Sequence, residues 1–186
     1  MSFHEYGSDD LKRLLKSIDT HLDRKVEIIL IGGTAALLAY KATRLTHDID
    51  SFGKITTALQ KAYELAKAET GLEIPLSQAG VAEAPYSFED RLIPYDQGSF
   101  NYLHVLIPEI HDFILMKTAR AYEHDLDVIE EISKKNKVKK DVLFERFDKE
   151  MDHIIGNENN LKQNFAAVLS RCFGDKVADE WMDKNK

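Results

Sequence analysis

An α+β fold is what this chain predicts: a small mixed β-sheet with helices, followed by a helical C-terminal part. Three observations carry that expectation. Residues 26–31 form a β-branched, apolar run that ends at a glycine pair; residues 48–52 alternate as Asp-Ile-Asp-Ser-Phe; and from Glu109 onward apolar residues recur at spacings of 3, 4 and 7. The chain therefore divides into residues 1–108, an α/β core with an N-terminal helix, and residues 109–186, a helical part packed on that core.

Composition narrows the class. Of the 186 residues 44% are hydrophobic and 31% charged, the balance of an ordinary globular protein. No run approaches the ~18–20 apolar residues that a membrane span needs, so no membrane partner is expected. The N-terminus MSFHEYGSDDLKR has neither a basic start nor an apolar signal core, and the single Cys172 cannot form an internal disulfide, which together predict a cytoplasmic protein. With 25 basic against 32 acidic residues the net charge is −7, a field that repels a long polyphosphate. Nucleic acid would need a local basic patch. KKNKVKK at 134–140, five lysines in seven residues, is one candidate, although such a run is more simply a solvated turn between two helices.

The elements follow in order. Ser8 is placed to cap a helix whose Leu11, Leu14, Leu15, Ile18 and Leu22 form one apolar stripe. Val26–Ile31 reads as a buried strand that Gly32 and Gly33 end, and TAALLAYK at 34–41 is rich in helix formers. THDIDSF then reads as a short strand with one polar and one apolar face. Thr56–Thr70 is helical by composition and Gly71 stops it. A looser region with Pro75, Gly80, Pro85, Pro94 and Gly98 follows, in which SFEDRLI (87–93) and FNYLHVLI (100–107) are the expected strands. Pro108 closes the second. Helices are expected from 109 to 123, through DLDVIEEISKK, and in three further stretches. Of these, one carries Val142 or Leu143, Phe147, Met151 and Ile154, one carries Leu161, Phe165, Val168, Leu169 and Cys172 up to Gly174, and the last carries Val177, Ala178, Trp181 and Met182.

The stretch IILIGGTAALLAYKATRLTHDIDSF (28–52) holds the chemistry. On a strand, residues i and i+2 share a face about 6.6 Å apart, which sets Asp48 and Asp50 side by side. Two such carboxylates repel each other unless a divalent cation lies between them, and oxygen-only ligands suit Mg2+ or Mn2+. Gly32, Gly33 and Thr34 add backbone N–H groups at a helix start, where phosphates can rest. Asp-x-Asp alone is common in exposed turns, and a glycine pair alone is equally weak. The combination of apolar strand, GGT, helix and Arg44-Leu-Thr46-His-Asp48-Ile-Asp50 is far more specific.

That combination resembles the signature of the nucleotidyltransferase superfamily related to DNA polymerase beta, and R-x-T-x-DID is similar to a bacterial branch that includes abortive-infection and toxin–antitoxin proteins. IHDFILMKTARAYEHDLDVIEEI (110–132) resembles that branch's later block, a helix lysine followed two turns on by an aspartate, here Lys117 and Asp125. IIGNENNLKQNFAAVLSRCFG resembles its C-terminal helices. The resemblance implies Mg2+ on Asp48 and Asp50 and a nucleoside triphosphate over Gly32, Gly33 and Thr34, with its nucleoside monophosphate passed to an RNA or protein acceptor. A toxin or defence role, with an antitoxin or other partner protein, is also implied. Active members carry a third metal carboxylate, for which Asp90, ahead of Glu89, is the candidate here. Without it the chain would be a nucleotide- or partner-binding module on the same fold.

The remaining candidates have plainer alternatives. Lys117 emerges from an apolar face formed by Ile110, Phe113, Ile114 and Ala121, either to reach a phosphate or to snorkel at the rim of a core. With Asp125 it could equally form a structural ion pair. Arg44 is either a phosphate clamp or a surface arginine. Arg120 reads as a solvated helix residue, His104 as packed or hydrogen-bonded within a strand, Cys172 as inert core, and Trp181 and Tyr122 as packing aromatics. Three His-Asp pairs suggest a helical phosphohydrolase, but the first falls on a strand and that reading leaves GGT without a role.

Overall fold

The computed structural model describes residues 4–79, 83–96, 98–154 and 157–185; Gly80, Ile155 and Gly156 lie outside them. The chain forms two compact units, Met1–Val81 with Leu92–Pro108 and Ala82–Arg91 with Glu109–Lys186.

The first unit contains α1 (Ser8–Thr20), β1 (Val26–Ile31), α2 (Gly32–Ala39), β2 (Ile49–Phe52), α3 (Thr57–Thr70), β3 (Leu76–Gln78), β4 (Ile93–Pro94) and β5 (Leu103–Ile107). Its sheet has the order β3-β2-β1-β5-β4. β1 runs antiparallel to β2 and parallel to β5, while β3 is parallel to β2 and β4 antiparallel to β5, so the sheet is mixed. The sequence reads β1 as buried throughout. Instead Val26, Ile28 and Leu30 are buried while Glu27 is exposed, and β5 repeats the alternation with His104 exposed opposite Glu27. The period of two sends Glu27 and His104 to the open face, which is why His104 is not packed.

Leu11, Leu14, Leu15 and Ile18 of α1 are at most 1% exposed. Burial of each such side chain contributes roughly 1.5–3 kcal/mol. The helix is capped by Gly7, not Ser8: Tyr6 is held extended by paired backbone bonds with Thr46 at 2.8 and 3.1 Å, and the Gly7 N–H donates to Asp10 Oδ2. At the other end, buried Asp19 accepts from the backbone N–H groups of Asn101, Tyr102 and Leu103 at 2.7 to 3.0 Å, fixing the start of β5. Burial pushes the Asp19 carboxyl up, but these bonds outweigh it and leave it below the ordinary carboxylate range. α3 is bounded as its sequence predicts, by the Thr56 hydroxyl accepting from Leu59 N–H and by Gly71 at φ +69°.

In the second unit, Phe88–Arg91 forms a 3-10 helix, followed by α4 (Ile110–Thr118), α5 (Glu123–Lys135), α6 (Lys140–Glu150), α7 (Glu158–Phe173) and α8 (Asp175–Lys184). Of SFEDRLI, read as a strand, only its last residue, Ile93, lies in one, the first of β4. Arg91 clamps Asp112 with two bonds at 2.8 and 2.9 Å and Glu150 with two at 2.6 and 3.1 Å, and Ser87 N–H donates to Glu150, so the segment is tied to α4 and α6. The single helix expected over 109–123 breaks because Ala121 adopts φ +42°, a left-handed conformation that a helix cannot contain. Phe147 and Phe165 stack at 3.9 Å and Trp181 meets both edge-on at 5.4 and 4.9 Å, so the three predicted helix stripes share one aromatic core. Of the α6 pair, Leu143 is the buried member.

Candidate functional site

Strand pairing places Ile31 opposite Asp50, and the chain then turns at Gly32 into α2. Gly32 has φ +62°, and a Cβ on it would lie 3.0 Å from Asp50 Oδ2. A Cβ on Gly33 would lie 2.7 Å from Thr46 Oγ1. Bare backbone is therefore needed at both positions, because a carboxylate and a hydroxyl press against the turn.

Asp48 immediately precedes β2. Its carbonyl accepts from Thr34 Oγ1 at 2.8 Å and Thr46 Oγ1 at 3.2 Å, so hydroxyls fix its backbone. Between the two aspartates, Ile49 is fully buried, which sends Asp48 and Asp50 to the opposite side of the strand. Ser77 on β3, in register with Asp50, donates to Asp50 Oδ1 at 2.9 Å. Both aspartates are half-buried, and neither makes an ion pair among the described residues. Burial, then the Asp50 charge, raises the Asp48 carboxyl above its ordinary value, against weaker opposing effects of Thr46 and His47.

The structure thus brings Gly32, Gly33, Thr34, Asp48 and Asp50 together in the first unit. Arg44 lies exposed on the segment between α2 and β2 and makes no ion pair among the described residues. Two carboxylates, with hydroxyls beside them, are hard oxygen donors of the kind Mg2+ or Mn2+ takes. Among the described residues, no three His, Cys, Asp or Glu side chains converge as a metal-holding group. Thr46 and Ser77 carry no role in the sequence reading. Thr46 stood inside the R-x-T-x-D pattern, whereas Ser77 is brought in only by strand pairing and left no local signal.

The other candidates belong to the second unit. Asp90 is exposed in the 3-10 helix. Lys117, 8% exposed, lies over the Phe113 ring and donates to Asp125 Oδ1 at 2.5 Å. Arg120, read as solvated, is exposed, and it also donates twice to the fully buried Asp125 at 2.8 and 3.2 Å. Burial raises the Asp125 carboxyl, but Arg120 and Lys117 together outweigh it and hold it below its ordinary value. The three side chains span the α4–α5 turn. Tyr122, read as packing, is 60% exposed in that turn with Arg120 over its ring, while Trp181 is buried. Cys172 is half-buried and its thiol is pushed up to about 11 by burial, which keeps it protonated and inert.

Compared with known sequence families, residues 9–171 match the family described as nucleotidyltransferase of unknown function (DUF6036). The searches of curated proteins and of solved structures each returned no match. The matched stretch covers most of the chain and includes the glycine turn, Asp48, Asp50 and the α4–α5 turn. The chain belongs to this nucleotidyltransferase family.

Proposed function

We propose that the protein is a magnesium-dependent nucleotidyltransferase that moves a nucleoside monophosphate from a nucleoside triphosphate to a protein or RNA acceptor. The observation that carries this reading is the contact of the glycine turn with the paired carboxylates, Gly32 beside Asp50 Oδ2. Asp48 and Asp50 would hold the cation, which offsets the burial and the Asp50 charge that together raise the Asp48 carboxyl. When bound, Mg2+ (or Mn2+) supplies neutralisation of the charge on the transferring phosphoryl group. The backbone N–H groups at the start of α2, from Gly32 to Thr34, would receive triphosphate oxygens, the buried Thr34 hydroxyl would hold the turn through its bond to the Asp48 carbonyl, and Arg44 would clamp a phosphate. An acceptor hydroxyl then displaces pyrophosphate from the α-phosphorus, a step promoted mainly by positioning and charge.

Lys117 with Asp125 acts as one paired unit within the second unit. The net charge of −7 favours a protein acceptor over a long nucleic acid, while the lysine run at 134–140 keeps a short RNA in the proposal. A toxin or defence role, checked by an antitoxin-like partner, extends the same reading. The second reading, a nucleotide- or partner-binding module, is favoured by the lack of a three-acid cluster among the described residues.

The test is incubation with each labelled nucleoside triphosphate, Mg2+ and a cell extract. Label transferred by wild type and lost in Asp48→Ala/Asp50→Ala supports the enzyme; equal labelling by both removes the site from the mechanism. Under the module reading no label moves, yet Mg2+ with nucleotide raises the melting temperature of wild type more than that of the double variant.

A further inference from the structure

Within the second unit, an open cavity of about 490 Å3 is lined by residues of α6, its C-terminal end and the start of α7. That is the size of a ligand or side-chain pocket, not of packing noise. Its floor is apolar: Phe147 and Met151 from α6 and its end, and Leu161 from α7. Its rim is acidic, with Asp148, Asp152 and Glu158. Lys162, the one basic side chain lining it among the described residues, is already bonded to Glu158 at 2.9 Å. Asp148 and Asp152 make no ion pair among the described residues.

We infer that this cavity is a docking groove for a basic amphipathic segment of a partner protein, whose apolar side chains fill the floor while lysines or arginines meet Asp148 and Asp152. The shape is that of helix-in-groove recognition, with apolar anchors and a charged rim. Charge complementarity selects the occupant. Two acids without a cation repel anionic lipid and nucleic acid alike, and attract a cationic partner. Partial desolvation beside the cavity also raises the Asp148 carboxyl, a cost that a docked cation offsets. The inference stands apart from nucleotidyl transfer, since none of these residues belongs to the site around Asp48 and Asp50.

The chain carries its own reporter. Trp181, the only tryptophan, sits edge-on at 5.4 Å to Phe147, so filling the floor perturbs its emission. The experiment titrates the full chain with a synthetic amphipathic peptide bearing one leucine and one lysine face, about four helical turns long, followed by Trp181 fluorescence and calorimetry. The expected result is saturable binding that weakens with salt and falls about tenfold or more in Asp148→Lys/Asp152→Lys. A matched leucine–glutamate peptide should not bind. Both substituted positions are exposed, and circular dichroism checks that the variant folds. No binding by the lysine peptide, or equal binding by wild type and variant, overturns the proposal. Self-association of the free chain that the variant abolishes, seen by sedimentation, also overturns it, because the occupant is then a second copy.

Discussion

Asp112 and Asp125 in the second unit are fully buried, and each is met by cations: Arg91 and Arg146 for the first, Lys117 and Arg120 for the second. Asp48 and Asp50 in the first unit are only half-buried, and their partners are the hydroxyls of Thr46 and Ser77 and each other's charge. Depth does not separate the two groups by function; compensation does. A buried carboxylate with matched guanidinium and ammonium donors is a structural tie, strongly destabilising to break. A shallower pair left without a cation is held in a configuration that folding alone does not favour, the condition expected of a ligand site.

The largest effect that would sharpen this contrast comes from Asp125→Ala, which leaves Lys117 buried without its counter-charge and should lower the unfolding free energy by about 3–5 kcal/mol in urea titration. A loss under about 1 kcal/mol would break the comparison. Next is the acid limb of stability. Burial pushes Glu109 up, but His111 and Arg146 more than reverse this and bring its carboxyl to about 2 from an ordinary 4.5. A carboxyl lowered on folding stabilises above its ordinary value, so that stability is lost as pH falls from 4.5 toward about 2. Glu109→Gln should flatten this limb by about 2–3 kcal/mol, measured by unfolding between those limits. Asp48 has the opposite sign. Its raised carboxyl favours the fold below the ordinary 3.8, and that contribution fades as pH rises through the raised value, a slope that Asp48→Asn should abolish.

Smaller again is Gly32→Ala. At φ +62° with Asp50 Oδ2 at 3.0 Å, an added Cβ should cost about 1–2 kcal/mol and displace the carboxylate. A melting temperature unchanged within error would mean the turn is not constrained. The smallest expected change is in Asp48→Asn/Asp50→Asn, whose stability should stay within about 0.5 kcal/mol of wild type while nucleotide transfer falls by about a hundredfold or more.

Legibility in the sequence followed the range of the interactions. The bounds of β1 were readable from its apolar β-branched run, and α3 because both of its caps, Thr56 and Gly71, are local. The glycine turn and the two aspartates were also readable, since fewer than twenty residues separate them and the motif names both. SFEDRLI was misread because its fate is set by Asp112 and Glu150, far along the chain. The break at Ala121 had no local glycine to announce it. Arg120 was rightly read as solvated, but its bond to Asp125 was missed for the same reason, the partner lying across that unforeseen turn. Ser77 and the open face of β1 required knowledge of which strands pair, and alternation alone does not reveal that.

The two units interleave along the sequence, with Ala82–Arg91 lying between the halves of the first. During synthesis the polypeptide emerges from one end, and β5, the parallel neighbour of β1, appears only after that excursion has left the ribosome. Until residue 103 is available, one side of β1 lacks its ladder partner, and the Asp19 carboxylate lacks the Asn101–Leu103 amides that satisfy it. Arg91 must wait longer, for Glu150. A nascent chain stalled before residue 100 therefore presents a bare strand edge, and it is in this window that a chaperone, or a neighbouring copy, would find it.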